Sequence, residues 1–149
     1  MSRVELPDRR LLNPAFKGHR RPDVVMIDIF RINDGEILKL TFESTNSSWR
    51  QGVWLKTDEY MLVDQKRCPS IELWADTAPT EVLIECHTRK GTLHLYNIWD
   101  SGRGLGMESQ CMTSGMLVED ISNGRRYRCN DIGSEPGFDK LVFRIERLL

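Results

Sequence analysis

Long hydrophobic runs are absent from this sequence, and with them any expected membrane span. An excess of one charge is absent too, because 21 Lys and Arg stand against 22 Asp and Glu for a net −1. That balance lacks the long-range attraction on which nucleic-acid and anionic-membrane binders rely, so neither is an expected partner. Histidine is scarce, with three in the chain, which weighs against a three-histidine zinc centre. The four cysteines, Cys68, Cys86, Cys111 and Cys129, form no C-x-x-C pair, so neither a zinc ribbon nor a redox motif is expected. An apolar leader core is missing as well, since Glu5, Asp8, Arg9, Arg10 and Lys17 interrupt residues 1–23. The expectation is a cytoplasmic chain with free thiols and no cofactor.

What is present is enough apolar material for one domain. A chain of 149 residues, 40% of them hydrophobic, buries roughly 68–70% of its unfolded surface and needs no staples. Residues 1–23 hold Pro7, Pro14 and Pro22 among basic residues, which predicts an irregular N-terminal arm with at most a helical turn at Arg9 to Leu12. Residues 24–149 read as a single all-β domain of about ten short strands, separated by Gly, Asn, Asp and Pro. So many strands exceed an ordinary single sheet, which predicts an antiparallel β-sandwich or a closed β-barrel built from consecutive hairpins.

Three hairpins are legible. Asp34-Gly35 as a two-residue loop would place Ile29 opposite Leu40 and Ile27 opposite Phe42. Asn123-Gly124 would place Val118 opposite Cys129 and Glu119 opposite Arg128. That register keeps Cys111 from facing Cys129, although Cys68 and Cys86 could still lie near one another. A third hairpin would join Glu81 to His87 with Thr92 to Trp99 through Arg89, Lys90 and Gly91. The closing run, Lys140 to Arg147, puts Leu141, Phe143 and Ile145 on one side and Arg144 and Glu146 on the other.

The candidate site residues follow from these strands. Trp54 and Trp74 share parity with polar neighbours, so their indoles fall on wetter faces, where they suit ligand stacking or an interface. Tyr96 and, from the glycine-rich loop Asp100 to Gln110, Arg103 complete a candidate ligand-binding set. The third hairpin would gather Glu85, His87 and His94 on one face, an arrangement for acid–base work or a divalent metal. Cys111 could serve as a nucleophile with His94 as base and Glu85 as its orienter. The favoured reading is a non-catalytic module that binds a small molecule or a protein partner, self-association included. A hydrolase or metal-dependent enzyme at Glu85, His87 and His94 is the alternative.

Overall fold

Alternating apolar and polar residues form strands where one face can be buried, and strands dominate the described residues. A computed structural model describes residues 6–18, 23–111, 113–132 and 137–148. Its strands are β1 (Leu11–Leu12), β2 (Val25–Arg31), β3 (Glu36–Thr45), β4 (Arg50–Val63) and β5 (Lys66–Trp74), then β6 (Glu81–His87), β7 (Thr92–Asp100), β8 (Gly115–Ile121), β9 (Gly124–Asn130) and β10 (Leu141–Arg147). Eight of them close an antiparallel barrel in the order β2-β7-β4-β6-β3-β10-β9-β8, with a return pairing of β8 to β2. The two extra strands are β1, beside β2, and β5, beside β4. The fold is therefore the closed barrel of the two expected alternatives. No helix among the described residues is long and apolar enough to cross a membrane.

Residues 1–5 and 19–22 of the arm lie outside the described residues. Within the described part, the helical turn falls at Pro14–Phe16 instead of Arg9 to Leu12, where Leu11 and Leu12 pair with β2. Asn13 caps the turn by accepting from the Ala15 amide at 2.9 Å.

Two of the three expected hairpins are corrected. β2 pairs with β7, β8 and β1 but never with β3, and β6 pairs with β3 and β4 but never with β7. The chain turns at Asp34-Gly35 and again at Thr88 to Gly91, yet each turn redirects a strand within the sheet instead of folding it back on itself. β2 and β3 thus form one bent path, and β6 and β7 form another beside it. The two bends are nested, with the Ile32 amide donating to the Gly91 carbonyl at 3.0 Å and the Gly35 amide to the Cys86 carbonyl at 2.8 Å. β4 runs unbroken past both, pairing with β7 up to Thr57 and with β6 from Tyr60. Asp58 sits between, and its carboxylate accepts from the Thr88 hydroxyl and from the amides of Arg89 at 3.0 Å and Lys90 at 3.2 Å.

The β8–β9 hairpin forms as expected, but its loop is Ser122-Asn123, since Ile121 pairs with Gly124. Val118 consequently faces Tyr127, and Glu119 faces Arg126 instead of Arg128, with an ion pair at 3.2 Å. The shift moves each partner by two residues, so every side chain keeps its face. β10 matches expectation, with Leu141, Phe143 and Ile145 buried.

The interior is filled by Leu38, Leu40, Val53, Leu55, Ile84, Leu93, Leu95 and a stacked Tyr127–Phe143 pair at 4.8 Å. All four cysteines are free. Cys68 and Cys86 flank Met61 on opposite sides, so a full strand separates them. Asp28, with no exposed surface, accepts from Arg10 Nε at 2.7 Å, Arg125 Nη1 at 2.9 Å and the Tyr127 hydroxyl at 2.7 Å. Three donors compensate the loss of water around this carboxylate.

Candidate functional site

The candidate ligand-binding residues divide between two places. Tyr96 and Trp54 are cross-strand partners, and their rings stack 4.6 Å apart at 16°. One row further along the same sheet face, Trp74 pairs with Gly52. A Cβ at Gly52 would come 2.5 Å from the Leu73 carbonyl oxygen and 3.1 Å from the Trp74 ring, so only glycine lets this indole lie flat on the strand. The Arg50 guanidinium covers the other side of Trp74 at 4.5 Å. Arg50 is held there by two hydrogen bonds to Asp76, 2.8 and 3.0 Å long. Arg103 is not part of this strip: its guanidinium pairs with Glu108 at 2.9 Å and rests over Trp49 at 5.7 Å. Of the four tryptophans only Trp99 is fully buried.

Beside Trp74 opens a groove of about 650 Å³ between β5 with its following loop and the β3–β6 pair. Its apolar surface comes from Leu62, Val63, Leu73 and Trp74, and from Ile37 and Leu83, which are 40% and 55% exposed. Asp64, Glu72, Glu81 and Glu85 also line it, and among the described residues no lysine or arginine does. Neither Asp64, Glu72 nor Glu81 forms an ion pair among the described residues. Four carboxylates over an apolar floor make a site for a group that is both cationic and partly apolar. The β4–β5 turn that ends the groove holds Asp64 and Gln65 at φ 54° and 64°. Two successive left-handed residues suit the tight twist of a two-residue hairpin.

Glu85 and His87 do meet, though not as a hairpin pair. They are alternate residues of β6, with His87 Nε2 2.7 Å from Glu85 Oε2, and the other ring nitrogen lies 3.4 Å from Asp34. Tyr60 stacks on the imidazole at 4.5 Å, and Arg67 stacks on Tyr60 at 3.9 Å. His94 is elsewhere, because β6 and β7 do not pair: it stands between Ile29 and Lys56, with Nε2 2.6 Å from the Pro7 carbonyl oxygen. The metal reading of Glu85, His87 and His94 is corrected accordingly. Among the described residues no group of three or more His, Cys, Asp or Glu side chains could hold a metal ion.

The Cys111 triad is corrected on the same grounds. Glu85 is bonded to His87 and His94 to Pro7, and no hydrogen bond joins either to the Cys111 thiol. Burial, with the Glu108 charge, pushes that thiol up, opposite to what a nucleophile needs. Burial also pushes the Cys86 thiol up to about 12.

The groove itself was missed in the sequence. Strand parity already puts Leu83 on the face opposite Val82, Ile84 and Cys86, but the turn of β4 into β5, which leaves that face open beside Leu73 and Trp74, depends on pairings distant in sequence. The one available signal was the concentration of Glu72, Glu81 and Glu85 without a compensating cation. A second, smaller hollow of about 260 Å³ lies across the barrel seam and is lined by Phe30, Arg31, Asp120, Arg125 and Arg147 among others. Its arginines serve the fold: Arg125 pairs with Asp28, and Arg147 pairs with Glu36 at 2.8 Å. Comparison with protein-family models, curated proteins and solved structures finds no match to this chain.

Proposed function

We propose that this chain is a non-catalytic binding module whose groove takes a cationic, partly apolar ligand. The observation that carries the reading is the groove lining, with four carboxylates, no cation and the exposed side chains of Ile37 and Leu83 beside Trp74. Exposed leucine and isoleucine next to Asp64, Glu72 and Glu81, which have no ion-pair partner among the described residues, leave the apolar and the charged half of the groove open to an amphipathic cation. Titration with octylguanidinium, followed by tryptophan fluorescence and calorimetry, tests this. Saturable binding that weakens with salt is expected, and Leu83→Arg should abolish it by filling the groove with a fixed cation. Binding that survives Leu83→Arg unchanged would place the site elsewhere.

A second reading rests on the 2.7 Å His87–Glu85 contact at the groove end, an acid–base pair for a hydrolase. It requires turnover of an ester or amide panel that His87→Ala eliminates while octylguanidinium binding persists.

A further inference from the structure

β6 is paired along the whole of one edge and along only part of the other. The Phe42 amide donates to the Thr80 carbonyl at 2.9 Å. Hydrogen-bonded pairs alternate along an antiparallel ladder, so Val82, Ile84 and Cys86 direct their backbone groups at β3. The backbone groups of Glu81, Leu83 and Glu85 therefore point to the opposite edge. β4 meets Glu85 there, opposite Leu62, and then turns away through Asp64 and Gln65 into β5. Among the described residues no strand pairs with Glu81 and Leu83 on that side.

The facing wall repeats the pattern. The Ala75 amide donates to the Gln51 carbonyl at 2.9 Å, which commits the backbone of Leu73 and Ile71 to β4 and leaves that of Glu72 at the outer edge of β5. Two open strand edges thus flank one groove lined by Glu72, Leu73, Val82 and Leu83.

We infer that the groove takes an extended peptide, added as a strand to β6 at Glu81 to Leu83, in which basic and apolar residues alternate. This rests on the groove being the ligand site. Alternation follows from the two-residue period of a strand. Every second side chain of the added strand would lie on the face of Glu81, Leu83 and Glu85, setting its positive charge by the carboxylates and its stem along Leu83. The ones between would face Val82, Val63 and Leu73 and take apolar groups. A second copy of this chain is the poorer occupant, because two β6 edges laid together would set these carboxylates against their like.

The test uses the full chain and a blocked octapeptide alternating valine and arginine, measured by calorimetry. Its companions are a valine–glutamate peptide and two versions of the basic peptide, N-methylated at every valine or at every arginine. The basic peptide should bind saturably and the acidic one should not. One methylated version should bind at least about tenfold more weakly, because methylation removes the donors along one edge. Leu83→Pro should weaken the parent peptide similarly, since it deletes an amide on the open edge and none in the β3 ladder. If both methylated versions bind as tightly as the parent, or if octylguanidinium binds and no peptide does, strand addition is overturned and the groove reading stands. Equal binding of the acidic peptide overturns the charge argument. A dimer in sedimentation that Glu81→Lys changes would give the edge to a second copy and overturn the inference. Binding of neither probe overturns both.

Discussion

Gly35 and Gly124 stand in similar dipeptides, Asp-Gly and Asn-Gly, and the protein needs glycine at the two for opposite reasons. Gly35 has φ 81° with nothing near its missing side chain, so its requirement is conformational. Gly124 is not among the positive-φ glycines, but a Cβ there would stand 1.8 Å from the Ile145 carbonyl oxygen. Its requirement is the close approach of β9 to β10, where it pairs with Glu146. Gly35→Ala should cost about 1–2 kcal/mol of left-handed strain and leave the strands in place. Gly124→Ala should cost ~3 kcal/mol or more, because backbone must move to admit the methyl group. Urea unfolding of both variants distinguishes the two roles, and equal losses would mean that β10 shifts freely.

At the scale of elements, turn chemistry was legible and its consequence was not. Asp34-Gly35 supplies the positive φ that a hairpin uses, but a strand that bends across a corner uses the same residue for the same reason. Which of the two forms depends on who accepts the neighbouring amides, and those acceptors are distant in sequence: Asp34 for Thr88, and Asp58 for Arg89 and Lys90. The tight hairpin at Asp64-Gln65 was hidden for the converse reason, since neither residue is glycine. Parity survived all of this, so Trp54 and Trp74 could each be placed on the wetter face of its own strand from sequence, whereas the strand pairings that bring them beside Tyr96, and the partnership of His94, could not. The corner also fixes a pH dependence. Burial raises the Asp58 carboxyl, but the Thr88 hydroxyl and the backbone amides outweigh it and hold it below its ordinary value of 3.8. A group lowered on folding stabilises the fold fully above its unfolded pKa, and the contribution disappears as pH falls through the folded value. Asp58→Asn should therefore destabilise the protein at neutral pH and reduce the stability that the wild type loses below about pH 4. Urea midpoints at several pH values check this, and parallel curves for the two proteins would remove Asp58 from the acid response.

The whole barrel closes unevenly. Seven of its junctions are ladders, but β2 meets β8 only where Val25 pairs with Met116. Beyond that point β2 presents the carbonyls of Ile29 and Arg31 to the seam, and two arginines from distant strands satisfy them. Arg125 donates to the Ile29 oxygen at 3.0 Å while pairing with Asp28, and Arg147 donates to the Arg31 oxygen while pairing with Glu36. Both guanidinium groups rest over Phe30, at 5.4 and 4.7 Å. Side chains thus do at this seam what a strand ladder does elsewhere, and they gather the positive charge there while the carboxylates collect at the groove between β5 and β6. A seam held by side chains should open before the ladders do. Arg125→Ala removes a donor from Ile29 and a partner from buried Asp28, so hydrogen exchange should accelerate in β2 and β8 well before it changes in β3, β6 and β10. Uniform acceleration across all strands would instead show that the seam unlocks the entire barrel, and that closure at Val25 and Met116 has no stability of its own.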